Sequence, residues 1–208
     1  IGGVIQIFPR RGEEGLQARL HLAAGTQQSF ERSMGLSGGD QQTRFDIGAS
    51  LTERAGFDRS QDSRGQDRDH DGLRRKAFNL NLEHRFNESL KAGLVLLEQR
   101  GESEYDDLFS FEPGNPSERF AVSSAAAHLE AQFDEQWSSR LEIGHSENKS
   151  ENRNPLNTTN NYTYNTYRDS AAWINTLQLN DTNQLLVGLD WYEDRLSTDS
   201  DFSQTERW

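Results

Sequence analysis

Apolar residues recur at every second position in one segment after another, and that spacing restricts the chain to strands with one apolar and one polar face. Phe45, Ile47, Ala49 and Leu51 alternate with Arg44, Asp46, Gly48 and Ser50. Leu16, Ala18, Leu20 and Leu22 alternate with Gln17, Arg19 and His21, and Phe78, Leu80 and Leu82 with Asn79, Asn81 and Glu83. The pattern returns at 125–133, at 137–143 and at 185–191. Successive side chains of a strand point to opposite faces, whereas the helical period of 3.6 would mix the two sets.

The connections divide into two kinds. Short polar turns fall at Gly39-Asp40-Gln41, Asn87-Glu88-Ser89, Asp134-Glu135-Gln136 and Asn180-Asp181-Thr182, with centres about 46 to 48 residues apart. Long polar stretches lie between them, near 56–73, 99–120 and 146–167, and another begins near 193. Strict alternation of short and long connections predicts an up-and-down meander with tight turns at one rim and long loops at the other. Transmembrane β-barrels have that asymmetry, with tilted strands whose polar faces line a wet lumen. Phe86, Phe133 and Trp137 beside short turns, and Trp191 and Tyr192 toward a long connection, suit aromatic girdles at the two interfaces.

Composition removes other classes. With 22 Lys+Arg against 34 Asp+Glu, the net charge is −12, the reverse of what nucleic acid attracts. There is no cysteine, so disulfide scaffolds, thiol catalysis and Cys-zinc sites are excluded. Only 32% of residues are hydrophobic, and no apolar run reaches the roughly 18 residues of a membrane helix. The five histidines form no His-x-x-x-His or Glu-x-x-His pair. No serine sits in a strand-turn-helix elbow. No catalytic residue is assigned, and the chain is not expected to be an enzyme.

Both ends suggest a piece of a larger barrel. The chain opens at Ile1-Gly2-Gly3-Val4-Ile5 without Met, closes at Glu206-Arg207-Trp208 where a further strand is due, and holds about nine strands, whereas bacterial single-chain barrels have even numbers. The opening "IGGVIQIFPRRG" resembles the end of the plug domain and the start of the barrel in TonB-dependent outer-membrane receptors. Gly2, Gly3, Val4, Ile5, Gln6, Ile7 and Arg10 match that motif, and Pro9 departs from its usual Thr. "GFDRSQDSRGQDRDHDGLRRKAF", "EYDDLFSFEPGNP" and "VGLDWYEDR" resemble the early barrel strands and loops of the cobalamin (vitamin B12) transporter branch. The resemblance implies an all-β fold, residues 1–9 as the last plug strand and 10–208 as the N-terminal part of a 22-stranded barrel. It further implies residence in the outer membrane of a Gram-negative bacterium, in contact with its lipid, and a monomeric full-length receptor. It also implies uptake of cobalamin or a related corrinoid, energised by TonB through an N-terminal region of the receptor.

The loops add a metal expectation. Asp67-Arg68-Asp69-His70-Asp71-Gly72 offers alternating carboxylates on a turning backbone, a donor set suited to Ca²⁺. It is not an EF-hand, because the twelfth position from Asp67 is Phe78 rather than a bidentate Glu. The next long connection offers Tyr105, Asp106, Asp107, Glu112 and Glu118. By the resemblance, Asp58, Asp67, Asp69, Asp71, Tyr105 and Asp106 match the calcium cluster of the cobalamin branch. A solvated acidic loop, neutralised by Arg59, Arg64, Arg68, Arg74 and Arg75, explains the same residues without an ion. Two other functions remain open: a TonB-dependent siderophore receptor, and a calcium-binding structural or adhesive β protein that transports nothing. No residue is assigned to the substrate; the Asn-, Thr- and Tyr-rich stretch 148–167 is expected to be an exposed loop.

Overall fold

The computed structural model describes residues 10–58, 70–106, 116–155, 158, 161–199 and 203–207. Ten strands form a single antiparallel sheet: β1 Gly15–Gly25, β2 Ser29–Gly39, β3 Thr43–Arg54, β4 Leu73–Arg85, β5 Leu90–Glu104, β6 Ser117–Gln132, β7 Trp137–Arg153, β8 Tyr162–Asn180, β9 Asn183–Thr198 and β10 Ser203–Arg207. Each strand is hydrogen-bonded to its neighbour in the chain, in the order β1 to β10. The up-and-down meander is therefore present, with ten strands rather than about nine. The added one is β10, whose polar sequence carries no alternation but whose backbone continues the ladder from Ser197 to Glu193.

The two faces separate as the spacing requires. Register aligns Leu20, Met34, Ala49 and Phe78 in one row, and Leu36, Ile47, Leu80 and Leu96 in the next. Among the described residues none of the large apolar side chains is buried: Leu20 is 73% exposed and Met34 67%. A water-soluble sheet would cover such a face with a second layer. Among the described residues nothing covers it, the arrangement expected where lipid does. The buried side chains are instead polar, Ser37, Asp46 and Thr52 among them, and these lie on the opposite face.

The four short turns share one device. Asp40 Oδ1 accepts the backbone N–H groups of Gln42 and Thr43 at 2.8 and 2.7 Å. Asp134 Oδ1 accepts those of Gln136 and Trp137, both at 2.8 Å. Asn180 Oδ1 does the same for Thr182 and Asn183, and Asn87 Oδ1 for Ser89. An Asx side chain at the first turn position thus satisfies donors that the ladder leaves over, which is why Asp or Asn begins every one of these turns. Beside them stand the expected aromatics. Phe133 and Trp137 are in ring contact at 4.3 Å, and Phe86 meets His84 edge-on at 4.6 Å. Trp137 and Trp173 donate their indole N–H groups to Asn175 and Ser139, so no polar atom of either indole is left bare on the apolar face.

At the opposite rim the strict alternation of short and long fails. The first connection, residues 26–28, is short and closes with Gln27 and Gln28 at positive φ. The expected loops 99–120 and 146–167 are also much reduced. β5 runs on to Glu104, β7 to Arg153, and β8 begins at Tyr162. These extensions carry no Leu, Ile, Val or Phe, so the aliphatic alternation that marks the other strands could not show them.

Residues 10–14 lie across the polar face at the short-turn end. Asn81 donates to the carbonyl oxygen of Arg10 at 2.7 Å. Gly12 approaches so closely that a Cβ there would overlap the carbonyl oxygens of Gly38 and Phe45. Gly12→Val should therefore lift this segment from the sheet, seen as faster amide exchange at residues 10–14 while the strand amides stay protected. Asp40 gives a second expectation. Backbone donation from Thr43 and Gln42 lowers its pKa below the usual carboxylate value. Its contribution to the turn is then fully present above the unfolded carboxylate pKa and fades as pH falls through the lowered folded value. Asp40→Asn keeps the acceptor and should flatten this part of the acid-unfolding profile in pH-resolved melting.

Candidate functional site

Two polar groupings are built by the ladder: a charged wall along the polar face, and an acidic cluster at the long-connection rim. In the wall, the Arg19 guanidinium reaches Ser37 at 2.8 Å and Asp46 at 2.5 Å, and Asn79 donates to the other Asp46 oxygen at 3.1 Å. These residues come from β1, β2, β3 and β4, and register places them side by side. Nearer the short-turn rim, Lys91 bonds Glu130 at 2.6 Å, and Arg140 bridges Glu130 and Glu142. His128 stands in the same group, across from Gly93, which has no side chain to displace its ring. The alternation over 125–133 puts His128 on the polar side, but it does not show the pairs around it. Their partners are far apart in sequence, and only the register joins them.

At the rim, the ends of β3 to β7 converge. Gly56 takes a positive φ of 74°, and a Cβ there would overlap the Asp71 carbonyl oxygen. The Asp71 N–H donates to the Phe57 carbonyl oxygen, which brings Asp71 beside the segment ending at Asp58. Gly72 N–H donates to Glu104 Oε2 at 2.9 Å, and Glu104 N–H returns a bond to the Gly72 carbonyl at 2.9 Å. Tyr105 and Asp106 follow directly. The Tyr105 hydroxyl donates to Asn152 on β7, and its N–H donates to the Pro116 carbonyl. So four of the six expected metal ligands, Asp58, Asp71, Tyr105 and Asp106, are carried to one stretch of rim by adjoining strand ends. Asp67 and Asp69 lie outside the described residues, as do Asp107 and Glu112.

The chemistry of the described part is selective. Asp71 is 2% exposed. Asp58 Oδ1 and both carboxylate oxygens of Asp106 are buried with no hydrogen-bond partner among the described residues. Burial of an ionised carboxylate without a partner is costly, and a bound cation is one of the few ways to offset it. Among the described residues, however, no three carboxylate or histidine side chains converge tightly enough to form a metal site by themselves. Arg74, one of the cations that could have neutralised the loop, pairs instead with Glu53 at 3.3 Å. Glu118 lies on β6 and accepts the Ser150 hydroxyl at 2.6 Å. A cavity of about 600 Å³ opens beside this rim, lined by Glu102, Glu104, Arg119, Asn152, Asn161 and Tyr162 among others.

A wall of paired strands with a bare apolar face, a charged inner face and strand ends gathered at one rim defines the class as transmembrane β-barrel wall. Comparison with known proteins agrees. The chain is 26% identical over 210 residues to the vitamin B12 transporter BtuB of Photobacterium profundum, an alignment covering 100% of this chain and 33% of the relative. It thus spans about a third of the length of the curated relative it matches. Among solved structures, the ferripyoverdine receptor of the Pseudomonas aeruginosa outer membrane superposes with a TM-score of 0.72 at 15% identity, over 94% of this chain and 30% of the receptor. The ferric preacinetobactin receptor of Acinetobacter baumannii superposes at 0.58 and 13% identity, over 93% and 39%. At these identities the structural likeness is one of fold. No family model matches the chain. The proteins it resembles are transporters and receptors, in line with the non-enzymatic reading.

The rim depends on the Gly56 conformation. Gly56→Val combines a disfavoured φ with overlap at Asp71, a strain of about 1–3 kcal/mol. We expect protease cleavage between β3 and β4 to accelerate in the intact protein, while its barrel keeps the heat-sensitive migration of a folded one in gel electrophoresis.

Proposed function

We propose that this chain forms part of the barrel of a TonB-dependent receptor that imports cobalamin or a related corrinoid. The observation that carries this reading is the alignment with a vitamin B12 transporter across the whole chain. Energy would come from TonB acting on the N-terminal part of the receptor, and residues 1–9 would be the last plug strand leading into the barrel. The position of residues 10–14 along the polar face, held by Asn81 and by the close approach of Gly12, supports that route.

Calcium belongs to the same proposal. Asp58 and Asp106 would hold the ion through their buried oxygens, which no described residue bonds, and Asp67, Asp69, Asp71 and Tyr105 would complete an oxygen shell. The ion supplies positive charge that lets the carboxylates of two connections share one space. The chain's own residues do the rest: Gly56 and Gly72 turn the backbone, Glu104 ties the β4 start to the β5 end, and Tyr105 reaches β7. Siderophore uptake is the alternative, supported by a fold it shares with two siderophore receptors. A water-soluble structural or adhesive calcium binder would have no use for the bare apolar face.

Cyanocobalamin binding to the intact receptor, titrated with Ca²⁺ and with chelator, tests both parts. We expect binding that chelator weakens at least about tenfold, with Asp58→Asn and Asp106→Asn together reproducing that loss. Calcium heat in calorimetry should fall in parallel. Saturable binding of a ferric siderophore with none of cobalamin would replace the corrinoid reading by the alternative.

A further inference from the structure

The apolar face carries one row of cations that has no counter-charge of its own. The register aligns Arg32, Leu51, Lys76, Arg100, Ala121 and Lys149 across β2 to β7. This row lies on the same face as Met34, Ala49 and Phe78, two residues further toward the long-connection rim. It contains four cations and no acid, in a chain whose net charge is −12. Lys76 and Arg100 stand directly opposite each other on β4 and β5. Like charges in that position repel unless an anion lies between them.

The next row outward is built differently. Glu53, Arg74, Glu102, Arg119 and Glu151 alternate in sign across β3 to β7. Arg74 pairs with Glu53 at 3.3 Å and Arg119 with Glu102 at 3.2 Å, so both cations of this row are paired within it, and Glu151 pairs with Arg153. Cations of the inner row take partners from other rows: Arg100 from Glu98, Lys149 from Glu147 and Arg32 from Glu53. Lys76 has no carboxylate in ion-pair distance among the described residues, and the Arg100 side chain is 72% exposed. Exposed pairs of this kind are weak and exchange readily for a better anion.

We propose that this row binds the phosphate groups of an anionic lipid in the outer leaflet. The inference rests on the outer-membrane barrel reading above. A ligand on this face must meet both hydrocarbon-facing residues and cations within two positions of one strand, which a lipid headgroup does and a soluble anion does not. The Lys and Arg stems lie along the apolar rows while their charged ends reach headgroup level. The Arg100 guanidinium can take phosphate through two parallel N–H donors, and Lys76 adds a point charge.

The test uses the intact receptor in detergent, with binding of diphosphorylated lipid A and of the same lipid after dephosphorylation counted by native mass spectrometry. We expect the phosphorylated form to bind preferentially and Lys76→Gln/Arg100→Gln to reduce its affinity about tenfold or more. Glu102→Gln/Arg119→Gln, from the row whose cations are paired within it, should change it less than about twofold. Should the double variant not fold, Lys76→Gln alone is expected to lose about threefold. Equal binding of both lipids, wild-type affinity in the Lys76 variants, or an equal loss in the control pair would overturn the proposal while leaving the barrel intact. Failure of the wild-type receptor to enter detergent micelles or vesicles in folded form would overturn the membrane reading itself.

Discussion

Hydrocarbon offers no hydrogen bonds, so each backbone N–H and C=O that crosses it must find its partner in a neighbouring strand. The rest of this structure follows from that requirement. It explains why ten strands join in chain order, because a meander lets each strand be satisfied by the one made just before it. It also explains why the ladder can hold without a hydrophobic core. Exposed Leu20 and Met34 would be a fault in a protein surrounded by water. On a barrel wall they are the solvent-matched surface. The side chains that need mutual contact are the polar ones on the other face.

That inversion sets where specificity resides. Arg19, Asp46, Asn79 and Ser37 form a satisfied polar cluster in which Asp46 is 2% exposed, much as an apolar cluster would in a soluble domain. Removing one member would leave a buried group unpaired, whereas the outward leucines tolerate exchange for other apolar residues. Glycine has a matching role. Gly93 yields its space to His128, and Gly12 yields its own to the strand backbone beneath it. Side-chain volume on the polar face is therefore distributed by register, large opposite absent.

The candidate site was legible in part. Asp58, Asp71, Tyr105 and Asp106 could be singled out because carboxylates cluster near two polar connections and resemble a known pattern. What could not be read was how strand ends bring those connections together. The Gly72–Glu104 bonds depend on β4 and β5 pairing without slippage as far as Leu73 and Ser103. The Tyr105–Asn152 bond depends on β7 extending well past the apolar band. Those extensions lack aliphatic residues, so 146–153 and 162–167 read as loop although they are strand. The same blindness hid β10, whose five residues carry no periodic signal. The turn at 26–28 escaped notice because it has neither Gly nor Asx, the residues that mark the other short turns.

The sequence by itself determined the alternation of faces, the four Asx-capped turns, the all-β class and the residues available for an ion, because each is a local property set by period two or by a side chain bonding its own turn. Only the tertiary structure decided which charges meet. Register placed Asp46 beside Arg19, Glu130 between Lys91 and Arg140, and Lys76 opposite Arg100. Cross-strand contact depends on how far one strand is shifted against the next. A shift of one residue would send every one of these side chains to the other face.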